Sequence, residues 1–245
     1  MRKQIPNLIT CMNVISGTMA VFMAMYDNLL VAALLVLLAM VFDFFDGFAA
    51  RLLHVRSEMG KELDSMADMV SFGVVPAVMA HLLIKLSLLS GAQYSPDSSY
   101  SWVEYVLMYS PLLIPAFSAF RLAKFNLDTR QTYSFIGMPT PANALFWVCL
   151  VLSYYWNNEL FPCLWGNVWV LFGCVVVLSV LLVVELPMFS LKITDFSWKS
   201  NRVRYLYFGT AILLAILFQI GFLTFLIPLY ILFSLVGYWA GWTTK

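Results

Sequence analysis

The sequence predicts an all-α fold, a polytopic transmembrane helical bundle of about eight spans with both termini on the cytoplasmic side. Three observations predict it. Of 245 residues, 62% are apolar and 11% charged, with a mean hydropathy of +0.86; an ordinary soluble domain is roughly 45–50% apolar and about 25% charged. The apolar runs are long and continuous, unlike the ~10-residue alternating segments of a transmembrane barrel. The basic residues gather on one side of the runs. This composition excludes a disordered chain, a secreted disulfide scaffold and a nucleic-acid binder. Cys11, Cys149, Cys163 and Cys174 show no CxxC spacing and read as small apolar residues. Met1-Arg2-Lys3 is basic, but no small-residue cleavage site follows, so no cleavable signal is expected.

A helix needs about 20 residues to cross a ~30 Å hydrocarbon core. The spans fall at about 8–26, 29–52, 64–88, 104–125, 141–157, 166–186, 204–220 and 222–241. Span 1 carries a polar stripe, Asn7, Thr10, Asn13 and Gly17, and stops at Asp27-Asn28. Span 2 ends in a short charged connector, and span 3 runs to the polar stretch from Ser90 to Ser101. Span 4 stops before Asp128, span 5 opens at Pro141, and Asn157 to Gly166 separates it from span 6. Pro187 to Arg202 separates span 6 from the last two. Those two lie close enough together to be read also as a re-entrant pair. The whole chain, 1–245, reads as one membrane domain, with a catalytic core over about 5–200 and a helix pair at about 204–241.

With the N-terminus inside, 13 of the 14 Lys and Arg fall on the cytoplasmic side and only Lys85 lies near the other. The opposite loops carry Asp27, Asp97, Glu104 and Glu159. The positive-inside rule then places both termini in the cytoplasm.

The chemistry sits at the end of span 2 and the start of span 3. Asp43 and Asp46 are three residues apart, with Gly47 and Ala50 following on the same face; Asp64 and Asp68 are four apart, one turn after Gly60. The short connector makes the two helices antiparallel neighbours, so the four carboxylates converge. Gly47, Ala50 and Gly60 let a backbone or a bulky ligand come close. An intramembrane Asp costs roughly 2.5–3.5 kcal/mol on the insertion scale, and clustered carboxylates repel. Divalent cations relieve both costs. All-oxygen ligation suits Mg²⁺ or Mn²⁺, and with no Cys/His set there is no sign of zinc. Two such ions ~3.5–4 Å apart are a common device for moving a phosphoryl group. The competing reading pairs the aspartates with Arg51, Arg56 or Lys61. His54 in the connector reads as solvated and His81 in span 3 as structural.

The segment Asp43-x2-Asp46-Gly47-x2-Ala50-Arg51-x8-Gly60-x3-Asp64-x3-Asp68 resembles the signature of the CDP-alcohol phosphotransferases at every fixed position. The resemblance implies an integral membrane enzyme in which an alcohol displaces CMP from a CDP-linked lipid with two metal ions, Mg²⁺ or Mn²⁺. It implies that Asp43, Asp46, Asp64 and Asp68 are metal ligands and that Asp68 also takes the alcohol proton. It implies that Gly47, Ala50, Arg51 and Gly60 cradle the cytidine diphosphate. Pro6-Asn7-Leu-Ile-Thr10 is similar to the family's cytidine-contacting element, although the same polar stripe would also serve interhelical hydrogen bonds. Relatives that use glycerol phosphate often have a basic residue where this chain has Asn13.

Two stretches select a branch. Arg121-Leu-Ala-Lys124-Phe-Asn126 closes span 4, and Gly137-Met-Pro139-Thr140-Pro141-Ala-Asn143 opens span 5, both on the cytoplasmic side. Both resemble stretches of the integral-membrane phosphatidylserine synthases, as does Leu186 to Lys192; Lys124 stands where Arg is more usual. The branch implies transfer of the phosphatidyl group from CDP-diacylglycerol to L-serine at the cytoplasmic face of the cytoplasmic membrane. Pro139 and Thr140 then join the lipid-nucleotide contacts, Arg121 and Lys124 bind serine, and a homodimer is the expected assembly. For Arg121 and Lys124 the positive-inside rule is the competing explanation. The nearest rival function is the same chemistry with glycerol 3-phosphate or an inositol phosphate. A rival of another class is a cation transporter built on the aspartates, which would put ionisable groups near the midplane.

The topology is directly testable. A green fluorescent protein fused at the C-terminus should fluoresce, and alkaline phosphatase fused there should stay inactive; the opposite pair of results would invert the orientation.

Overall fold

Polar residues punctuate the apolar runs, and the helices end where they do. The computed structural model describes residues 4–55, 57–90, 100–127, 135–156, 162, 165–188 and 197–240. Helix α1 (Gln4–Met25) is followed by a turn in which Asp27 takes a φ of 57°. Asn28 then caps α2 (Leu29–Leu52) by accepting from the Val31 N–H. His54, exposed and at φ 50°, ends that helix. Ser57 caps α3 (Glu58–Asp68) by accepting from the Gly60 N–H at 3.0 Å. This cap starts the third passage six residues before the predicted position 64.

From Asp68 the helix widens into a π-turn, Met69–Val74, and continues as α4 (Val75–Ser90). A Ser101/Glu104 capping box opens α5 (Trp102–Tyr109); Pro111 imposes a 3-10 turn before α6 (Leu113–Leu127). Then come α7 (Thr140–Tyr155), α8 (Val168–Val183), α9 (Trp198–Phe218) and, after a 3-10 segment, α10 (Leu226–Trp239). Among the described residues five helical stretches are long and apolar enough to cross a membrane: Gln4–Met25, Leu29–Leu52, Glu58–Leu89, Trp102–Leu127 and Gly221–Trp239. Helix α8 is a shorter apolar helix. The all-α expectation needs one amendment. Two two-residue strands, β1 (Phe135–Ile136) and β2 (Pro187–Met188), form an antiparallel pair, too short to leave a period-2 pattern in the sequence.

Small residues set the packing. Gly17, Ala20 and Ala24 of α1 and Ala32, Ala33 and Ala39 of α2 are all buried, the small-residue contact that lets membrane helices approach closely. A Cβ on Gly17 would stand 2.9 Å from the Ser71 Cα, and one on Gly73 would stand 3.3 Å from the Ser118 Cβ. These glycines dock the π-turn between α1 and α6. Helix α7 is buried almost all round, with Phe146, Trp147 and Leu150 at its centre, as expected of a core helix that is apolar on every face. The predicted neighbour relation of α2 and α3 is modified. Helix α1 packs against both, and α2 meets the third passage chiefly at the π-turn.

The start of α1, the end of α2, the start of α3, the end of α6 and the start of α7 therefore meet at one end of the bundle. At the opposite end Tyr26, Trp102, Trp156 and Trp169 are exposed, the placement of an interfacial aromatic belt. The His81 Nδ1–H donates to the Met108 carbonyl at 2.7 Å, and the ring packs on Tyr109, far along α4 from the connector, as expected of a structural histidine.

Gly17→Leu should lower the melting temperature in detergent, because overpacking a tight contact costs about 1–3 kcal/mol. Thr18→Leu, on the exposed side of the same helix, should leave it unchanged. Equal melting temperatures for the two variants would refute a close α1–π-turn contact.

Candidate active site

Spacing along two helices brings the aspartates together. Oxygens of Asp43, Asp64 and Asp68 all lie within 4.8 Å of one another. Asp46, three residues after Asp43, stands to one side of that trio. It is 6% exposed, with the Thr10 hydroxyl and the Gly47 N–H beside its carboxylate. Thr10 itself donates to the Pro6 carbonyl at 3.1 Å.

Among the described residues the salt-bridge alternative finds no ion pair to the aspartates. Arg51 is exposed and its Nε donates to the Gly47 carbonyl at 3.0 Å. Lys61 Nζ donates to the Asn126 carbonyl at 2.7 Å. Arg56 lies outside the described residues. Buried oxygens Asp46 Oδ2, Asp64 Oδ1 and Asp68 Oδ1 have no hydrogen-bond partner among the described residues. Unpartnered carboxylate oxygens beside one another could hold a divalent cation, which would offset the cost of burying them unpaired.

Two cavities flank the aspartates. The first, about 500 Å³, is lined by Asn7, Thr10, Asp46, Gly47, Ala50, Gly60, Lys61 and Asp64, among others. A Cβ on Gly47 would meet nothing within 4 Å, so that glycine opens the cavity wall; one on Gly60 would stand 3.2 Å from Asn7 Oδ1. The second cavity, about 300 Å³, is lined by Lys61, Asp64, Asp68, Arg121, Asn126, Pro139 and Thr140, among others. Asp64 and Lys61 belong to both.

The structure thus gathers most of the residues singled out in the sequence and redistributes the rest. Asn7, Thr10, Gly47, Ala50 and Gly60 share the first cavity; Arg51 is turned away from it. Pro139 and Thr140 face the second cavity, beside Asp68. Arg121 is buried there; its Nε donates to the Met138 carbonyl and its guanidinium lies 5.6 Å from the centre of the Phe125 ring. Lys124 is instead paired with Glu185 at 2.7 Å. Asn13 is fully buried on the inner face of α1, and its carbonyl accepts from the Ser71 hydroxyl at 3.1 Å. Of the Leu186–Lys192 stretch, only Leu186–Met188 falls within the described residues.

Sequence reading missed Lys61 and Asn126 as site residues. Asn126 Nδ2 donates to Ser65 Oγ at 2.8 Å, and with the Lys61 bond it ties the end of α6 to α3. Lys61 stands between two signature residues, Gly60 and Asp64, and that position was the available signal.

Comparison with known proteins agrees with this geometry. The family model for CDP-alcohol phosphatidyltransferase matches residues 3–185. A protein of Bacillus subtilis named CDP-diacylglycerol–serine O-phosphatidyltransferase is 37% identical over 150 residues, covering 61% of this chain and 76% of its own. One of the same name from Helicobacter pylori is 35% identical over 181 residues, covering 73% and 68%. Another, from Methanocaldococcus jannaschii, is 30% identical over 164 residues, covering 66% and 68%. A match over this much of the chain, with the signature aspartates drawn together, sets aside the cation-transporter alternative: the chain belongs to the CDP-alcohol phosphatidyltransferase family.

Proposed function

We propose that the chain is a CDP-diacylglycerol–serine O-phosphatidyltransferase, making phosphatidylserine and CMP. The observation that carries the reading is the pair of cavities sharing Asp64. A two-substrate transfer needs a donor and an acceptor on either side of one reacting centre. The wider cavity, with Gly47 and Gly60 in its wall and Asn7 and Thr10 at its edge, suits a cytidine diphosphate. The smaller one, with Asp68 and Arg121, suits a small zwitterion. The names of the relatives favour serine as that zwitterion.

Asp43, Asp46, Asp64 and Asp68 would hold two divalent cations, Mg²⁺ or Mn²⁺, with the unpartnered oxygens noted above as donors. When bound, the ions neutralise the diphosphate and stabilise the charge that develops on the departing CMP. The chain does the rest. Arg121, its Nε held by the Met138 carbonyl, offers its terminal nitrogens to the serine carboxylate, a charge-assisted pairing. Asp68 accepts the serine hydroxyl proton as the oxygen attacks the β-phosphorus. The bond from that phosphorus to the CMP oxygen breaks, and CMP leaves with the electron pair. Gly47, Ala50 and Gly60 leave room for the nucleotide. No Ser-His or Cys-His pair lies at this centre among the described residues, so a single in-line displacement is the economical route. Among the described residues the carboxylates share their bundle end with Arg51, Lys61, Arg121 and Lys124. By the positive-inside rule that placement favours a site on the cytoplasmic face of the cytoplasmic membrane, with both termini inside and eight spans in the proposed topology. The chain acts as one membrane domain, and a homodimer is its proposed assembly.

Purified protein given CDP-diacylglycerol should release CMP with serine and not with glycerol 3-phosphate or inositol phosphate. Turnover with either of these in place of serine would refute the acceptor assignment. Exhaustive EDTA treatment should abolish turnover, and Mg²⁺ or Mn²⁺ should restore it; full turnover without metal would refute the ion-binding role. Asp64→Asn should lose at least ~100-fold in kcat/KM, since even orienting partners of metal ligands are worth about 10–100-fold. Arg121→Ala should raise the serine KM by about 10–150-fold, the equivalent of a lost charged hydrogen bond. An unchanged serine KM would return Arg121 to a topological role. Labelled CMP should not exchange into CDP-diacylglycerol without serine; rapid exchange would point to a covalent intermediate.

A further inference from the structure

The family match stops at residue 185. Beyond it the described residues form β2, α9 and α10, and α10 packs against β2 as well as α7 and α9. Strand β2 pairs with β1, Met188 opposite Phe135 and Pro187 opposite Ile136. After β1 the chain turns at Gly137, whose φ of +80° is a conformation open to glycine at little cost. A Cβ at Gly137 would also press on the Val184 carbonyl at 3.1 Å. The Gly137 N–H donates to the Leu186 carbonyl at 2.9 Å, and the Met138 N–H donates to the Leu181 carbonyl at 3.1 Å. Met138 and Met188 are both buried. The Met138 carbonyl holds Arg121 Nε, and the next two residues, Pro139 and Thr140, line the cavity of Asp68. At the rim Lys124 grips Glu185. The fixed points of this cavity wall thus lead back to residues 181–188.

We infer that the segment 181–188, which runs from the end of α8 into β2 and is braced there by α10, is the positioning element for the acceptor side of the site. It acts on Arg121 through Gly137 and Met138, and Lys124 serves by holding Glu185 rather than by touching the acceptor. A guanidinium already held at Nε has less rotamer freedom to lose when an anion docks. The backbone clasp also keeps Pro139 and Thr140 at a constant distance from Asp68. Misplacement of such a wall by about 1 Å is costly, because the acceptor oxygen must sit in line with the scissile bond. Met188 and Glu185 are positioning residues in this scheme, not catalytic ones.

The inference rests on the acceptor reading given above, and the experiment separates the two. The probes are serine and CDP-diacylglycerol, with both KM values and kcat measured on the full chain. Met188→Ala should raise the serine KM by about 3–10-fold and leave that of CDP-diacylglycerol within about twofold. Met188→Leu should restore the wild-type value. Gly237→Leu, on the buried face of α10, should show the same one-sided shift. Lys124→Glu and Glu185→Lys should each raise the serine KM, and the charge-swapped double variant should recover most of the loss. A swap that recovers nothing would mean that Lys124 contacts the acceptor itself. Equal changes in both KM values, or a fall in kcat alone, would mean that β2 is only structural. Either result overturns the inference. If wild-type protein reacts with another alcohol and not with serine, the serine reading falls, and the same one-sided shift is read with that alcohol.

Discussion

Carboxylate oxygens from two helices converge within 4.8 Å, and among the described residues no basic side chain is paired to them. Everything else at this end of the bundle depends on that constraint. Like charges at such distances in a poorly hydrated setting repel strongly. Other elements force them together, and a cation bound among them would relieve the repulsion. On the proposed reading, a divalent ion would serve both the chemistry and the stability of this end of the fold, as linkage requires of any ligand that binds the folded state alone.

The forcing is done by small residues and by one irregular turn. Gly17 against Ser71, and Gly73 against Ser118, bring α1 and α6 onto the π-turn that directly follows Asp68. The alanines shared by α1 and α2 bring Thr10 up to Asp46. In a bilayer this intimacy replaces the hydrophobic drive that would assemble a water-soluble bundle. Lys61, Ser65 and Asn126 then tie α3 to α6 with hydrogen bonds, so both cavities keep their walls.

The sequence made the aspartates legible because helical periodicity is a short-range property: intervals of three and four residues state which side chains share a face. The same periodicity revealed the polar stripe of α1 and the breaks between spans. It could not reveal how whole helices dispose themselves. The interval Asp43-x2-Asp46 places both residues on one face, but not that Asp46 stands beside Thr10 while Asp43 joins Asp64 and Asp68. Arg51 sits inside the signature and still points outward. Lys124 follows Arg121 by three residues, yet finds Glu185, 61 positions along the chain, which local spacing cannot express. The β1–β2 pair has two residues per strand and leaves no pattern at all. Helix α3 begins earlier than its apolar content suggests, because the Ser57 cap, rather than hydropathy, sets its start.

The π-turn at Met69–Val74 has a consequence for how the sequence can vary. Each residue added to or removed from a helix rotates everything beyond it by about 100° about the axis. A single π-turn is the trace of one such extra residue, accommodated locally. Here the turns bearing Asp64 and Asp68 face the carboxylate cluster, and the π-turn that follows carries Ser71 and Gly73, which face α1 and α6. Substitutions within the turn alter contacts, but the count of residues between Asp68 and Val75 fixes an angle. Along this stretch, then, the number of residues constrains the fold as directly as the small residues Ser71 and Gly73 do.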